Sequence, residues 1–140
     1  MKKSFATLIK LQKTLVDEQR QQLARLIENL DRIEKRVAEL RAMKLREQAA
    51  AARNPIVRMT YGAFLKGLIV RERSLDKEHQ TAARAVHLAQ EKLAELFEEQ
   101  KRYEIAEEQR LQDIAKAELR LETLEFDEIG GMRHERQKTG

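Results

Sequence analysis

Cysteine and tryptophan are absent from this 140-residue chain, proline occurs once, and aromatic residues make up only 4% of it. Without cysteine there is no disulfide, no thiolate nucleophile and no sulfur-ligated metal, and the composition suits a reducing cytoplasm. With no tryptophan, 4% aromatic and 37% charged residues, the composition fits one elongated helical unit better than one globule with a thick core. Long apolar runs are missing too. Met1-Lys2-Lys3 imitates the start of a secretory signal, but Lys10, Lys13 and Asp17 interrupt the apolar stretch that should follow. The segment is therefore expected to be helical from the start, with no direct membrane insertion.

Recognisable catalytic and cofactor chemistry is equally sparse. Gly130-Gly131 lacks the glycine spacing and the following Lys-Ser or Lys-Thr of a phosphate-binding loop. His87 has only Glu91 four residues on, and His79 stands alone on the apolar seam described below, where a polar residue helps to fix register. Glu98-Glu99 and Glu107-Glu108 are adjacent on a helix and point about 100° apart, so they read as solvated faces. No catalytic residue, cofactor site or metal site is assigned, and the chain is not expected to be an enzyme. Nucleic acid is not an expected partner. The basic residues of the first half are interleaved with Glu28, Asp31, Glu34 and Glu39, and stacking aromatics are lacking.

What is present is periodicity. Stepping alternately four and three residues from Phe5 gives Phe5, Ile9, Gln12, Val16, Gln19, Leu23, Leu26, Leu30, Ile33, Val37, Leu40, Lys44, Glu47 and Ala51. A second ladder runs from Tyr61 through Leu65, Leu68, Glu72, Leu75, His79, Ala82, Val86, Ala89, Leu93, Leu96 and Gln100 to Tyr103, Glu107, Arg110, Ile114, Ala117, Leu121, Leu124 and Glu128. This 3.5-residue period belongs to a left-handed coiled coil. Lys44, Glu72, Glu107 and Arg110 put charge on the ladder, where long side chains can reach the edge of the seam at the cost of a looser coil.

The expected fold is all-α, an antiparallel two-helix coiled-coil hairpin with the second helix the longer. Ser4 can cap a first helix over about 5–52, a rod of about 72 Å, and Glu28/Arg32 and Asp31/Lys35 support it at i,i+4 spacing. Asn54-Pro55 breaks it, with Asn54 able to cap and Pro55 suited to a first helical position; Thr60 is a second possible start, so the turn is placed at about 53–59. Gly62 and Gly67 weaken the next turns by about 1 kcal/mol each. The second helix is expected over about 60–129, stopped by Gly130-Gly131, with 130–140 a disordered basic tail.

Folding the chain back at Asn54 sets Leu40 against Leu68, Ile33 against Leu75, Val16 against Leu93 and Phe5 against Tyr103, ladder facing ladder throughout; a shift of one heptad would also keep phase. Residues 104–128 are then left with nothing opposite. They form an acidic segment with a stripe of Ile114, Ala117, Leu121 and Leu124. The charge is divided: residues 1–52 hold 12 basic and 7 acidic side chains, and 91–129 hold 6 and 13. Such asymmetry favours antiparallel pairing. An apolar stripe without an internal partner points to an external one; fraying of the free segment is the plain alternative.

Beside the turn, residues 60–70 concentrate more apolar side chains than a two-helix seam can cover, a docking surface unless Met43, Leu45 and Ile56 close it into a local core. The Tyr61-x-x-Phe64-Leu65-x-x-Leu68 pattern here resembles the FliJ proteins of the bacterial flagellar export apparatus. So do the later Arg102-Tyr103-Glu104 and Glu125-Phe126-Asp127-Glu128, the length, and the hairpin spanning nearly the whole chain. The stalk proteins of virulence-type secretion systems look similar.

The resemblance implies a non-enzymatic stalk that inserts into and activates the hexameric export ATPase ring, links it to the cytoplasmic domain of the membrane-embedded export gate, and handles substrate chaperones. It thus implies a role in motility and a cytoplasmic location, peripheral at the inner membrane. By similarity, Tyr61, Phe64, Leu65 and Leu68 are candidates for contacting the gate, and Tyr103, Ile114, Leu121 and Leu124 for contacting the ATPase. The isolated chain is expected to be a monomer or weakly self-associating. A general coiled-coil adaptor or holdase is the competing reading of the same pattern.

Overall fold

A computed structural model describes residues 4–139, with side chains described for 4–136. The expectations for Met1-Lys2-Lys3 and for residue 140 lie outside the described residues. Two helices account for the fold, α1 (Ala6–Arg53) and α2 (Pro55–Thr139), which form a hairpin with the second helix longer. At the start of α1 the Ser4 hydroxyl accepts from Ala6 N–H at 3.2 Å, the local cap its position predicted.

The corner is tighter than the expected turn at 53–59. Only Asn54 is non-helical: Arg53 closes α1, residues 55–59 are already helical, and Thr60 starts nothing. The Asn54 side-chain oxygen accepts from Ile56 N–H at 3.0 Å, so it caps α2 while Pro55 supplies a first position that needs no donor. Arg58 then reaches back, its guanidinium donating to the Ala51 carbonyl at 3.1 Å and the Ala52 carbonyl at 3.3 Å. A cation on the last carbonyls of α1 satisfies groups that helix termination leaves open and complements the negative end of its dipole. One cap and one bridging arginine thus replace a loop.

The far boundary also differs. α2 continues through Gly130-Gly131 to Thr139, where a stop and a disordered tail were expected. Neither glycine has positive φ, and a Cβ at either would meet nothing within 4 Å. Glycine costs a helix about 1 kcal/mol relative to alanine without forbidding it, and here it is not used as a left-handed cap.

The chain divides into two compact units, Leu15–Leu96 and Met1–Thr14 with Phe97–Gly140. In the first, the buried apolar residues are Val16, Ile33, Leu40, Ala51, Leu68, Ala82, Val86 and Ala89, and each lies on one of the two ladders. Gln19 donates from its amide to the Ala89 carbonyl at 3.1 Å across the seam. Flanking it are Glu34 with His79 at 3.2 Å, Arg36 with Glu78 at 3.9 Å and Lys44 with Glu72 at 3.8 Å. His79 therefore has a partner on the opposite helix.

In the second unit Gln12 is buried, and the Phe5 backbone N–H meets Glu107 rather than the expected neighbourhood of Tyr103. This places the pairing there about one helical turn further along α2. The phase survives because ladder residues recur every three or four positions.

Candidate functional site

Two surfaces gather the residues singled out by the sequence. Near the corner, Tyr61 and Phe64 stack with ring centroids 6.4 Å apart and planes 22° from parallel. Their spacing of three along α2 puts them on one face, and both, like Leu65, are half-buried. Leu68 differs. It is the most enclosed apolar side chain described, 2% exposed, and belongs to the core rather than to an accessible surface. Nor do Leu45 and Ile56 close a local core over this region: they are 67% and 74% exposed. The apolar excess around residues 56–70 is thus divided between a packed inner side and an uncovered outer one.

At the other surface, Tyr103 is half-buried and donates to Glu99 at 2.7 Å, a hydrogen bond that raises the phenol above its usual pKa. Ile114, Leu121 and Leu124 are exposed, as is every residue from 111 to 136. The fully exposed stretch begins after Arg110, later than the expected 104. Phe126, 75% exposed, lies off the ladder and on a different side of α2 from Ile114, Leu121 and Leu124.

The boundary between paired and unpaired α2 is built from two ladder charges. Glu107 accepts from Phe5 N–H at 2.8 Å and from the Ser4 hydroxyl at 3.3 Å, while Arg110 donates to it at 2.7 and 3.1 Å. A carboxylate at the amino end of α1 takes up an open backbone donor and complements the positive end of the helix dipole. Its pKa is lowered to about 2, first by the Arg110 hydrogen bonds and then by the Phe5 N–H; Arg110 is raised in turn by Glu107. Glu107 and Arg110 therefore form a clasp on the amino terminus of α1. Lys44 and Glu72 likewise meet each other, so these two pairs of ladder charges are each matched.

The carboxylate pairs scrutinised in the sequence are dispersed. Glu98 faces Arg102, Glu99 faces Tyr103, Glu107 faces Arg110, and His87 meets Glu91 one turn away at 2.9 Å. Among the described residues no group of three or more His, Asp or Glu side chains could hold a metal ion, and no helix is long and apolar enough to cross a membrane.

A helical hairpin with charged seam clasps and an unpaired extension of one helix defines a class of structural and interaction proteins. Within that class, the family model described as Flagellar FliJ protein matches residues 1–139, so the chain belongs to the FliJ family. Comparison with curated proteins and with solved structures returned no match. Membership carries the general role of a stalk-type component of flagellar protein export.

Proposed function

We propose that this chain is a non-enzymatic stalk that enters the export ATPase ring, promotes its assembly and activity, and links it to the cytoplasmic domain of the export gate and to substrate chaperones. The observation that carries this reading, beside the family, is the exposed stretch 111–136: an α-helix with Ile114, Leu121 and Leu124 uncovered, amid an excess of acidic residues from Asp113 to Glu128. The exposed side chains of Ile114, Leu121 and Leu124, held in register on a helix, supply a preformed contact surface, so little ordering entropy is lost on binding. Tyr103 stands on the paired side of the clasp and adds an aromatic contact next to it. In this reading Tyr61, Phe64 and Leu65 contact the gate, with Leu68 supporting them from beneath. The protein works in the cytoplasm, held at the inner membrane through the export apparatus, and ATP hydrolysis belongs to the ring.

Turnover by the cognate export ATPase tests the proposal. Added chain should raise ATPase rate and hexamer yield, and Leu121→Asp with Leu124→Asp should remove most of that effect while far-UV circular dichroism stays unchanged. An ATPase indifferent to the chain at micromolar concentration would count decisively against it. Equal binding of unrelated unfolded clients, unaffected by Phe64→Ala, would instead mark a general holdase.

A further inference from the structure

The outer side of α2 next to the corner carries a feature that the stalk reading does not use. At about 100° per residue, Ile56, Met59, Ala63, Gly67 and Val70 fall within an arc of about 80°, on the side of α2 away from Leu65 and Leu68. Ile56, Met59 and Val70 are 74%, 86% and 67% exposed, and a Cβ at Gly67 would meet nothing within 4 Å. Lys66 and Arg73 border the stripe on one side and Arg71 on the other, all exposed. Between Gln48 and Arg71 there is no acidic residue, while Arg53, Arg58, Lys66 and Arg71 are basic.

We propose that this outward face of the first turns of α2 binds the anionic surface of a lipid bilayer, lying in the headgroup layer without crossing it. An apolar stripe edged by lysine and arginine is the pattern of interfacial helices, whose adhesion combines shallow apolar burial with attraction to anionic lipid. Three observations favour a bilayer over other occupants. The apolar side chains stand out from a convex helix face, which suits a broad soft surface better than a peptide that needs a groove. The surroundings are cationic without a balancing acid, so two copies of this face repel each other. α2 is not apolar enough to span, which leaves lying on the surface as the available mode. The site goes beyond the stalk reading and uses none of Tyr61, Phe64 or Leu65. It also revises the expectation of no membrane insertion to a shallow, in-plane contact.

Co-sedimentation of the full chain with vesicles tests it without the export apparatus. The chain should bind vesicles of phosphatidylglycerol and phosphatidylcholine, release as salt rises, and bind phosphatidylcholine vesicles at least about ten-fold more weakly. Ile56→Asp with Met59→Asp, and separately Lys66→Gln with Arg71→Gln, should each lower partitioning about ten-fold with helicity unchanged. Lys10→Gln with Lys13→Gln removes the same charge elsewhere and should change it by less than about two-fold. Equal binding to neutral vesicles, wild-type binding by the face variants, or an equal loss in the Lys10/Lys13 variant would each overturn the proposal. So would capture of a glutamate-rich helical peptide by this face without vesicle binding, which would assign the face to an acidic protein.

Discussion

Replacing Leu68 by alanine should destabilise the hairpin strongly although the position lies inside a pattern that reads as a docking surface. Leu68 is 2% exposed, so the substitution removes the equivalent of about three buried CH₂ groups, each worth about 0.8 kcal/mol. To that transfer loss of about 2.4 kcal/mol a cavity contribution is added where neighbours cannot relax, giving measured costs of about 2–5 kcal/mol in thick cores. A two-helix seam has no third layer, and Leu65 and Leu75 beside it are only half-buried, so the helices can close partway into the gap. The expected cost is therefore near the lower end, about 2–3 kcal/mol. Urea unfolding followed by far-UV circular dichroism, repeated at several protein concentrations to separate folding from association, measures it. Met59→Ala, at a side chain 86% exposed, is the internal control and should stay within about 0.5 kcal/mol of wild type. If Leu68→Ala and Met59→Ala unfolded alike, the assignment of Leu68 to the core would be wrong, and any loss of gate binding in the Leu68 variant could be credited to a lost contact.

Two further variants probe the ends of the helices. Glu107 has a folded pKa of about 2 against an ordinary 4.5, so its stabilisation is fully present above the ordinary value and is lost as pH falls towards and through about 2. Glu107→Gln should flatten the acid limb of stability in that window and speed amide exchange at the Phe5 N–H; an unchanged acid limb would disprove the clasp. Gly130→Ala with Gly131→Ala should raise the helicity of the distal part of α2, by about 1 kcal/mol per site, because neither glycine has positive φ and each has open space for a Cβ. A loss of helicity would show instead that a glycine cap ends the helix there.

The sequence alone determined the face from which the buried residues are drawn. Every buried apolar residue, from Val16 to Ala89, and buried Gln12 stands on a ladder written from spacing, because a 3.5-residue repeat leaves a coiled-coil helix one narrow face to hide. The break at Asn54-Pro55 and the longer second helix were equally legible, since cap and proline act through local backbone chemistry. Only the tertiary structure decided how the ladders meet. A pairing shifted by one turn satisfies the same periodicity, and the contact that tells the two apart, Phe5 N–H on Glu107, is a tertiary one. The same holds for the apolar residues near the corner. Residues 56–70 are rich in apolar side chains on more than one side of α2, and which side is packed was settled by the position of α1: it covers Leu68 and leaves Ile56 and Met59 in water, a difference of burial that composition does not encode.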